Sequence, residues 1–469
     1  MPFAAALLLH VAVFAACTDR GLSAVDPNLS REQPKVIPVS HNRSLDLLFV
    51  VDDSPSMRQE QASLAVNFPL FVDVLESAAG GLPDLHLGVV SPNVGTGPSG
   101  GGGDACAGGG DRGVLQLPDG CPPLSDGARF ISDIEIDEES GARLFNYTGD
   151  LADQFSCLAQ LGTGGCGFEQ PLEAAARALE NRAENAGFLR DDAFLMVVFL
   201  TDEDDCSAAD TTMFDPAEDD RDDPLGELSS FRCFEFGTTC AEADERAVGP
   251  RTGCVPGDDD TTYMTGVEPY IERIKALKPH PSRVLVAAIS AAAAPVSVSV
   301  DPERDELRVD PACVVCPGGA ATGCPLDPAA DGAALVAAAP AIRLGAFLAG
   351  FPQRSTWQNI CTYDPVLGDV NLAGALVEIA SSFGNLPASW CLDDDLALPP
   401  ECSVTEVTNP GTAEEEQTVI PPCDERSPTC FRLIEDPTCG TPSNLTLDID
   451  RDGPIPTEPS EIVVRCLAE

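Results

Sequence analysis

Basic residues are scarce in this chain of 469. Lys and Arg number 27 against 76 Asp and Glu, a formal net charge of −49. Such a chain repels phosphate backbones and anionic surfaces, so nucleic acid is excluded as an expected partner. Histidine is rarer still, with four in all, and only His41, His86 and His280 lie beyond the first sixteen residues. They share no motif, and neither a P-loop nor H-E-x-x-H occurs, so the usual residues for phosphoryl transfer and zinc proteolysis are missing. No apolar run reaches the roughly 18 residues needed to cross a bilayer. These absences point away from an enzyme and towards a binding protein.

Cysteine, by contrast, is plentiful at 19. Cysteines scattered through an acidic, Gly- and Pro-rich chain imply an oxidising compartment. Residues 2–16 form an apolar stretch that ends in small residues, followed by Cys17. FAAC resembles a bacterial lipobox, whose cysteine is lipidated. That implies a lipoprotein signal peptide at 1–16, a lipidated Cys17 and a polar tether to residue 40. The remaining 18 cysteines are an even number, free to pair. A plain secretory signal is the competing reading. Thr18 instead of Asp after the cysteine resembles lipoproteins sent to the outer membrane.

Short apolar runs alternate with helical patterns from residue 41 to 390. Leu45–Val51, Leu85–Val90, Ala193–Leu200 and Arg283–Ser290 read as strands buried on both faces. Arg58–Ala79, Gly149–Leu161, Phe168–Asn181, Tyr263–Leu277, Pro340–Leu348 and Asn371–Phe383 read as helices. In the first, Leu64, Val66, Phe71, Val72 and Leu75 form the expected apolar side. The alternation predicts a doubly wound, Rossmann-like α/β sheet, with insertions near 91–127, 204–257 and 295–335. The first insertion reads as a loop closed by one disulfide. From 391 to 469 cysteines become dense and strands short, which predicts a small Cys-rich β module.

The run LDLLFVVDDSPSM carries the chemistry. It ends a buried strand at Asp52 and continues through Ser54 and Ser56, giving D-x-S-x-S. A second strand, FLMVVFL, ends at Thr201-Asp202. In a doubly wound sheet both aspartates lie on the rim where ligands bind. A carboxylate and two hydroxyls on one turn suit a hard divalent cation. Context, spacing and the strand–helix order resemble the metal-ion-dependent adhesion site of a von Willebrand factor A (VWA) domain, over roughly residues 45–383. The resemblance implies that Asp52, Ser54, Ser56 and Asp202 hold Mg²⁺, with Mn²⁺ or Ca²⁺ as substitutes. It further implies a protein partner that supplies an Asp or Glu carboxylate to the open coordination position. The family's remaining ligand is a threonine in a Gly-rich loop. In LGTGGCGFEQPLEAA the alignment puts Cys166 there, with Thr163 three residues earlier as the substitute, and a Cys157–Cys166 bridge could fix the loop. This loop and FLTDEDDCS, with the lipobox and Cys-rich tail, also resemble predicted lipoproteins of myxobacteria and related bacteria.

Other signals have plainer readings. Glu203, Asp204 and Asp205 read as a solvated acidic turn beside the site, with a second cation as the rival. Asp448-x-Asp450-x-Asp452-Gly453 begins like an EF-hand loop, but Pro459 replaces the closing Glu, which favours a β-turn with outward aspartates. Cys313-x-x-Cys316 lacks histidine and reads as disulfide cysteines. The expected function is metal-dependent protein binding or adhesion at the cell envelope. The alternatives are a metal-independent structural protein with a degenerate site and, less favoured, a metal-dependent hydrolase.

Overall fold

A computed structural model describes residues 34–467 except for short stretches, the longest being 258–262, 393–401, 409–415, 424–428, 436–444 and 452–459. The expected signal segment, Cys17, the tether up to residue 33, and Asp452, Gly453 and Pro459 lie outside the described residues.

Seven strands build the central sheet: β1 (Leu45–Val51), β2 (Leu85–Val90), β3 (Ile131–Asp137), β4 (Ala142–Phe145), β5 (Phe194–Leu200), β6 (Val284–Ser290) and β7 (Ser355–Asn359). Their order is β7-β6-β5-β1-β2-β3-β4. The β1–β2, β1–β5, β5–β6 and β6–β7 pairs are parallel, and the β3–β4 hairpin adds an antiparallel edge. Helices α1 (Arg58–Ser77), α2 (Leu151–Leu158), α3 (Pro171–Leu179), α4 (Phe231–Gly237), α5 (Val267–Lys275), α6 (Ile342–Ala349) and α7 (Ala373–Gly384) complete the unit. The expected α/β doubly wound class is therefore present, with disulfide-bonded insertions.

Alternation along β1 separates two cores. Leu45, Leu47, Phe49 and Val51 face a core shared with α1, α2 and α7. Leu48 and Val50 face another, shared with α3, α5 and α6. Both faces are covered, which is why β1, β5 and β6 read as continuous apolar runs. Around Phe49 three rings converge, Phe68, Phe71 and Phe155, with centroids 4.8–6.1 Å from its own. Along α1 the buried stripe is Leu64, Phe68, Phe71, Val72 and Leu75; Val66, expected on it, is 75% exposed. Its position is two residues from Leu64, about 200° around a helix, which turns it outward.

Cysteine pairing differs from expectation. Cys106 and Cys121 do not close their own loop but bridge to Cys166 and Cys157. The 91–127 insertion is thus stapled to α2 through Cys157 and to the loop after it through Cys166. Cys206–Cys233 and Cys240–Cys254 pair within the second insertion. Cys313 and Cys316 are both oxidised, to Cys361 and Cys324.

The C-terminal region forms two four-stranded sheets that share one apolar core, including Val404, Leu447, Ile449 and Val464. Each recruits a strand from before the α/β unit. Pro34–Ile37 pairs with Ser460–Leu467, and Val39–Asn42 with Ser389–Leu392. The end of the expected tether is therefore part of this module. Asp448 and Asp450 lie within the strand Leu445–Arg451 and not in a turn. Arg432 pairs with both, and Arg354 of the α/β unit reaches Asp448 at 3.3 Å.

Candidate functional site: a carboxylate-rich rim

Strands β1 and β5 are parallel neighbours that end in register, with Val51 opposite Leu200. The chain leaves β1 for β2 on one side, while β5 lies on the other. This is a topological switch point, where a doubly wound sheet opens a crevice beyond its carboxyl ends. Asp52 and Thr201-Asp202 sit there, 150 residues apart in sequence. Asp52 is fully buried, Thr201 and Asp202 nearly so.

Hydrogen bonds tie the two strand ends together. Asp52 Oδ1 accepts the Ser54 N–H at 2.8 Å, and Oδ2 accepts the Thr201 hydroxyl at 2.7 Å. Ser54 Oγ lies 3.1 Å from Ser56 Oγ. Ser56 faces Asp202 and opposes the upward shift of its carboxyl. Asp202 Oδ1 is buried and has no partner, a costly arrangement for a carboxylate unless a proton or a cation serves it. The structure thus brings together Asp52, Ser54, Ser56 and Asp202. Thr201 joins them through its bond to Asp52.

More carboxylates crowd this rim than D-x-S-x-S announces. Burial, followed by the Asp52 charge, pushes Asp202 up to about 7. Burial and the Asp202 and Asp52 charges push Glu203 up to about 8. Burial and Asp52 likewise raise Asp53 to about 7. Burial also raises Asp52 itself, against the hydrogen bonds from Thr201 and Ser54. Two further acids were not identified from sequence. Glu169 is buried and lifted well above the carboxylate range by burial and by Asp52, Glu203 and Asp202. Glu60, fully buried in the first turn of α1, has both oxygens unpartnered and is raised by burial and by Asp202. A signal for Glu60 existed: it falls on the same helical stripe as Leu64 and Phe68, an acid where an apolar residue is due.

The Gly-rich loop is stitched to the D-x-S-x-S turn. Gln61 Nε2 donates to the carbonyls of Asp52 and Gly162, and Gln61 Oε1 accepts the Gly162 N–H. Gly165 N–H donates to the Asp53 carbonyl at 2.8 Å, and a Cβ on Gly165 would fall 2.1 Å from Asp53 Oδ1. Only glycine fits there. Thr163 is half-buried in this loop and makes no hydrogen bond to the carboxylates among the described residues. Cys166 bonds to Cys106, so the expected Cys157–Cys166 bridge is replaced by two longer-range ones.

Asp204 and Asp205 are not a solvated turn. The Asp204 carboxylate accepts the N–H groups of Ile342, Arg343 and Leu344, capping α6. Asp205 is buried, pairs with Arg343 at 3.0 Å and accepts the Leu172 N–H at the start of α3. Both carboxylates serve helix N-termini, whose dipoles favour anions. Gly97-x-Ser99-x-Gly101 has the letters of a hydrolase nucleophile elbow, but it lies in the 91–127 insertion and not at a strand-to-helix turn. His86 is spent on packing: its Nδ1 lies 2.9 Å from the Phe188 carbonyl oxygen. Among the described residues no group of three or more His, Cys, Asp or Glu side chains is arranged to hold a metal ion. The rim instead offers mixed hydroxyl and carboxylate oxygens.

No protein-family model and no curated protein matches the chain. Among solved structures it is similar to a von Willebrand factor type A protein from Catenulispora acidiphila, at 10% identity and a TM-score of 0.26, covering 94% of this chain and 66% of that one. A pilus adhesin, SpaC from Lactobacillus rhamnosus GG, aligns at 11% identity and 0.29, covering 94% and 40%. The human COPII-coat protein Sec24c aligns at 10% and 0.29, covering 88% and 44%. The chain thus spans less than two thirds of the length of each. The class of protein is set by its own strand order: a doubly wound α/β protein with its acidic rim at the switch point.

Proposed function

We propose that this chain is a VWA-like binding protein whose rim holds a divalent cation, Mg²⁺ in the first instance and Mn²⁺ or Ca²⁺ as substitutes. The observation that carries the reading is the convergence of Asp52, Ser54, Ser56 and Asp202, with Asp202 Oδ1 buried and unpartnered. All of these donors are hard oxygens, the chemistry Mg²⁺ demands. Bound there, the cation would supply a Lewis-acidic position for an Asp or Glu carboxylate of a protein partner. It would also reverse the local field of a cluster that otherwise repels anions. Thr163 remains a candidate fifth donor. The proposed role is adhesion or partner binding and not catalysis, at the bacterial envelope, with lipidated Cys17, in its lipobox-like FAAC, anchoring the chain to the outer membrane.

A second reading has one observation in its favour. Cys166, at the position of the family's threonine, is consumed in a disulfide. On that reading the site is degenerate and the chain is a structural or assembly protein.

Thermal unfolding of the full oxidised chain separates the two. A ligand that binds only the folded state adds about 2.7 kcal/mol at a hundredfold excess over its Kd. Mg²⁺ should raise the melting temperature above that in EDTA, and Asp52→Ala should abolish the difference. Identical melting of both proteins under both conditions would favour the structural reading.

A further inference from the structure

Glu60 is an acid where the core calls for an apolar residue. It lies in the first turn of α1, fully buried, on the stripe that Leu64 and Phe68 continue inward. Neither of its oxygens has a hydrogen-bond partner. The charges that reach it are all negative, Asp202 first and then Asp52 and Asp369. A proton alone does not satisfy it, because a neutral carboxyl is a donor that still needs an acceptor. Leucine at this place would avoid the cost of burying such a group.

The position of Glu60 is nonetheless fixed from two sides. Its neighbour Gln61 ties α1 to the carbonyls of Asp52 and Gly162. Ser63 Oγ accepts the Leu372 N–H, from the segment that enters α7, at 2.9 Å. The first turn of α1 cannot rotate Glu60 into solvent without breaking these bonds. Asp202, the acid that acts on it most strongly, also has a buried oxygen without a partner. Two buried carboxylates that repel one another, each short of a donor, suit a cation and the water it carries.

Among the described residues, Asp52, Asp202 and Glu60 do not converge as a three-carboxylate cage. Glu60 therefore stands one layer back from the rim donors. Mg²⁺ gives up its waters reluctantly and keeps several when bound. Water polarised by such an ion is a strong hydrogen-bond donor. We infer that Glu60 holds the water shell of the rim cation and so sets its affinity, without ligating the ion directly. This rests on the reading of the rim as an ion site and adds to it a positioning residue outside D-x-S-x-S.

Mn²⁺ titration of the metal-stripped full chain tests it, with Glu60→Gln, Glu60→Leu and Asp52→Ala beside the unaltered protein. Hydrogen-bonding groups behind a bound metal are typically worth roughly 10- to 100-fold in its affinity. Both Glu60 variants should weaken Mn²⁺ binding by that factor and keep one site per chain. In EDTA neither should melt below the unaltered chain, and Glu60→Leu should melt higher, since it replaces an unpartnered buried acid on an apolar stripe. A merely structural glutamate would show the reverse, unchanged affinity with lower melting. That result, with Asp52→Ala still abolishing binding, overturns the role of Glu60 and leaves the ion site standing. Weaker binding accompanied by lower melting of both variants in EDTA assigns the effect to folding and overturns it as well. If even the unaltered chain binds no Mn²⁺, the rim reading itself falls, and this inference with it.

Discussion

Removing divalent cations should make this protein unusually sensitive to pH between 6 and 9. Asp202 is nearly fully buried, with one oxygen unpartnered, and titrates near 7 because of burial and the neighbouring Asp52 charge. A carboxyl raised in the folded state contributes its full stability below its ordinary value of 3.8. That contribution is lost as the pH climbs through the folded value. A rise from 3.8 to about 7 corresponds to about 4 kcal/mol when complete. Glu203, raised to about 8, extends the loss upward. Because the two share one field, their costs do not add. Most of the Asp202 loss is complete by pH 6; the remainder to pH 9 is about 1.4 kcal/mol for Asp202 and up to about 3 kcal/mol for Glu203. At about 2 °C per kcal/mol, the melting temperature in EDTA should fall by roughly 3–6 °C from pH 6 to 9. Ordinary carboxylates are already ionised across this range, so the overall charge changes little. Asp202→Asn should flatten the profile, and saturating Mg²⁺ should flatten it for the unaltered chain. A level profile in EDTA, or the same slope in Asp202→Asn, would refute the buried-carboxylate argument.

Two further outcomes follow from packing and connectivity. Replacing Cys106 and Cys166 together by serine opens a bridge of sequence separation 60, which should lower stability by about 4 kcal/mol; denaturant melts would read it, and a loss under 1 kcal/mol would contradict the stapling role. Asp204→Ala leaves the N–H groups of Ile342, Arg343 and Leu344 without their acceptor and should cost about 2 kcal/mol. Hydrogen exchange should quicken first in α6, and exchange that quickens elsewhere while sparing α6 would count against the cap.

Much of the fold was legible because parallel strands covered on both faces leave continuous apolar runs. Leu85–Val90 matched its expected bounds, and Ala193–Leu200 did so to one residue. The β3–β4 hairpin was missed because Leu144 and Phe145 face outward on an edge and show no burial period. The strands at 34–42 were missed because their partners lie over 340 residues away, beyond any local pattern. At the site, the strand ends gave Asp52 and Asp202. Glu169 carried no local sign, since only the fold brings it to Asp52. Asp204 and Asp205 looked like solvent-facing acids because the helix N-termini they cap belong to distant segments. The cysteines could be counted but not paired, because pairing depends on loops crossing in space.

The most direct test of the central claim is titration of the metal-stripped full chain with Mn²⁺, followed by electron paramagnetic resonance of the free ion. One site per chain, displaced by Mg²⁺ and absent in Asp52→Ala, is the predicted result. A free-ion signal that rises from the first addition, identically for the unaltered chain and Asp52→Ala, would contradict the ion site and leave a structural protein with an acidic, protonated rim.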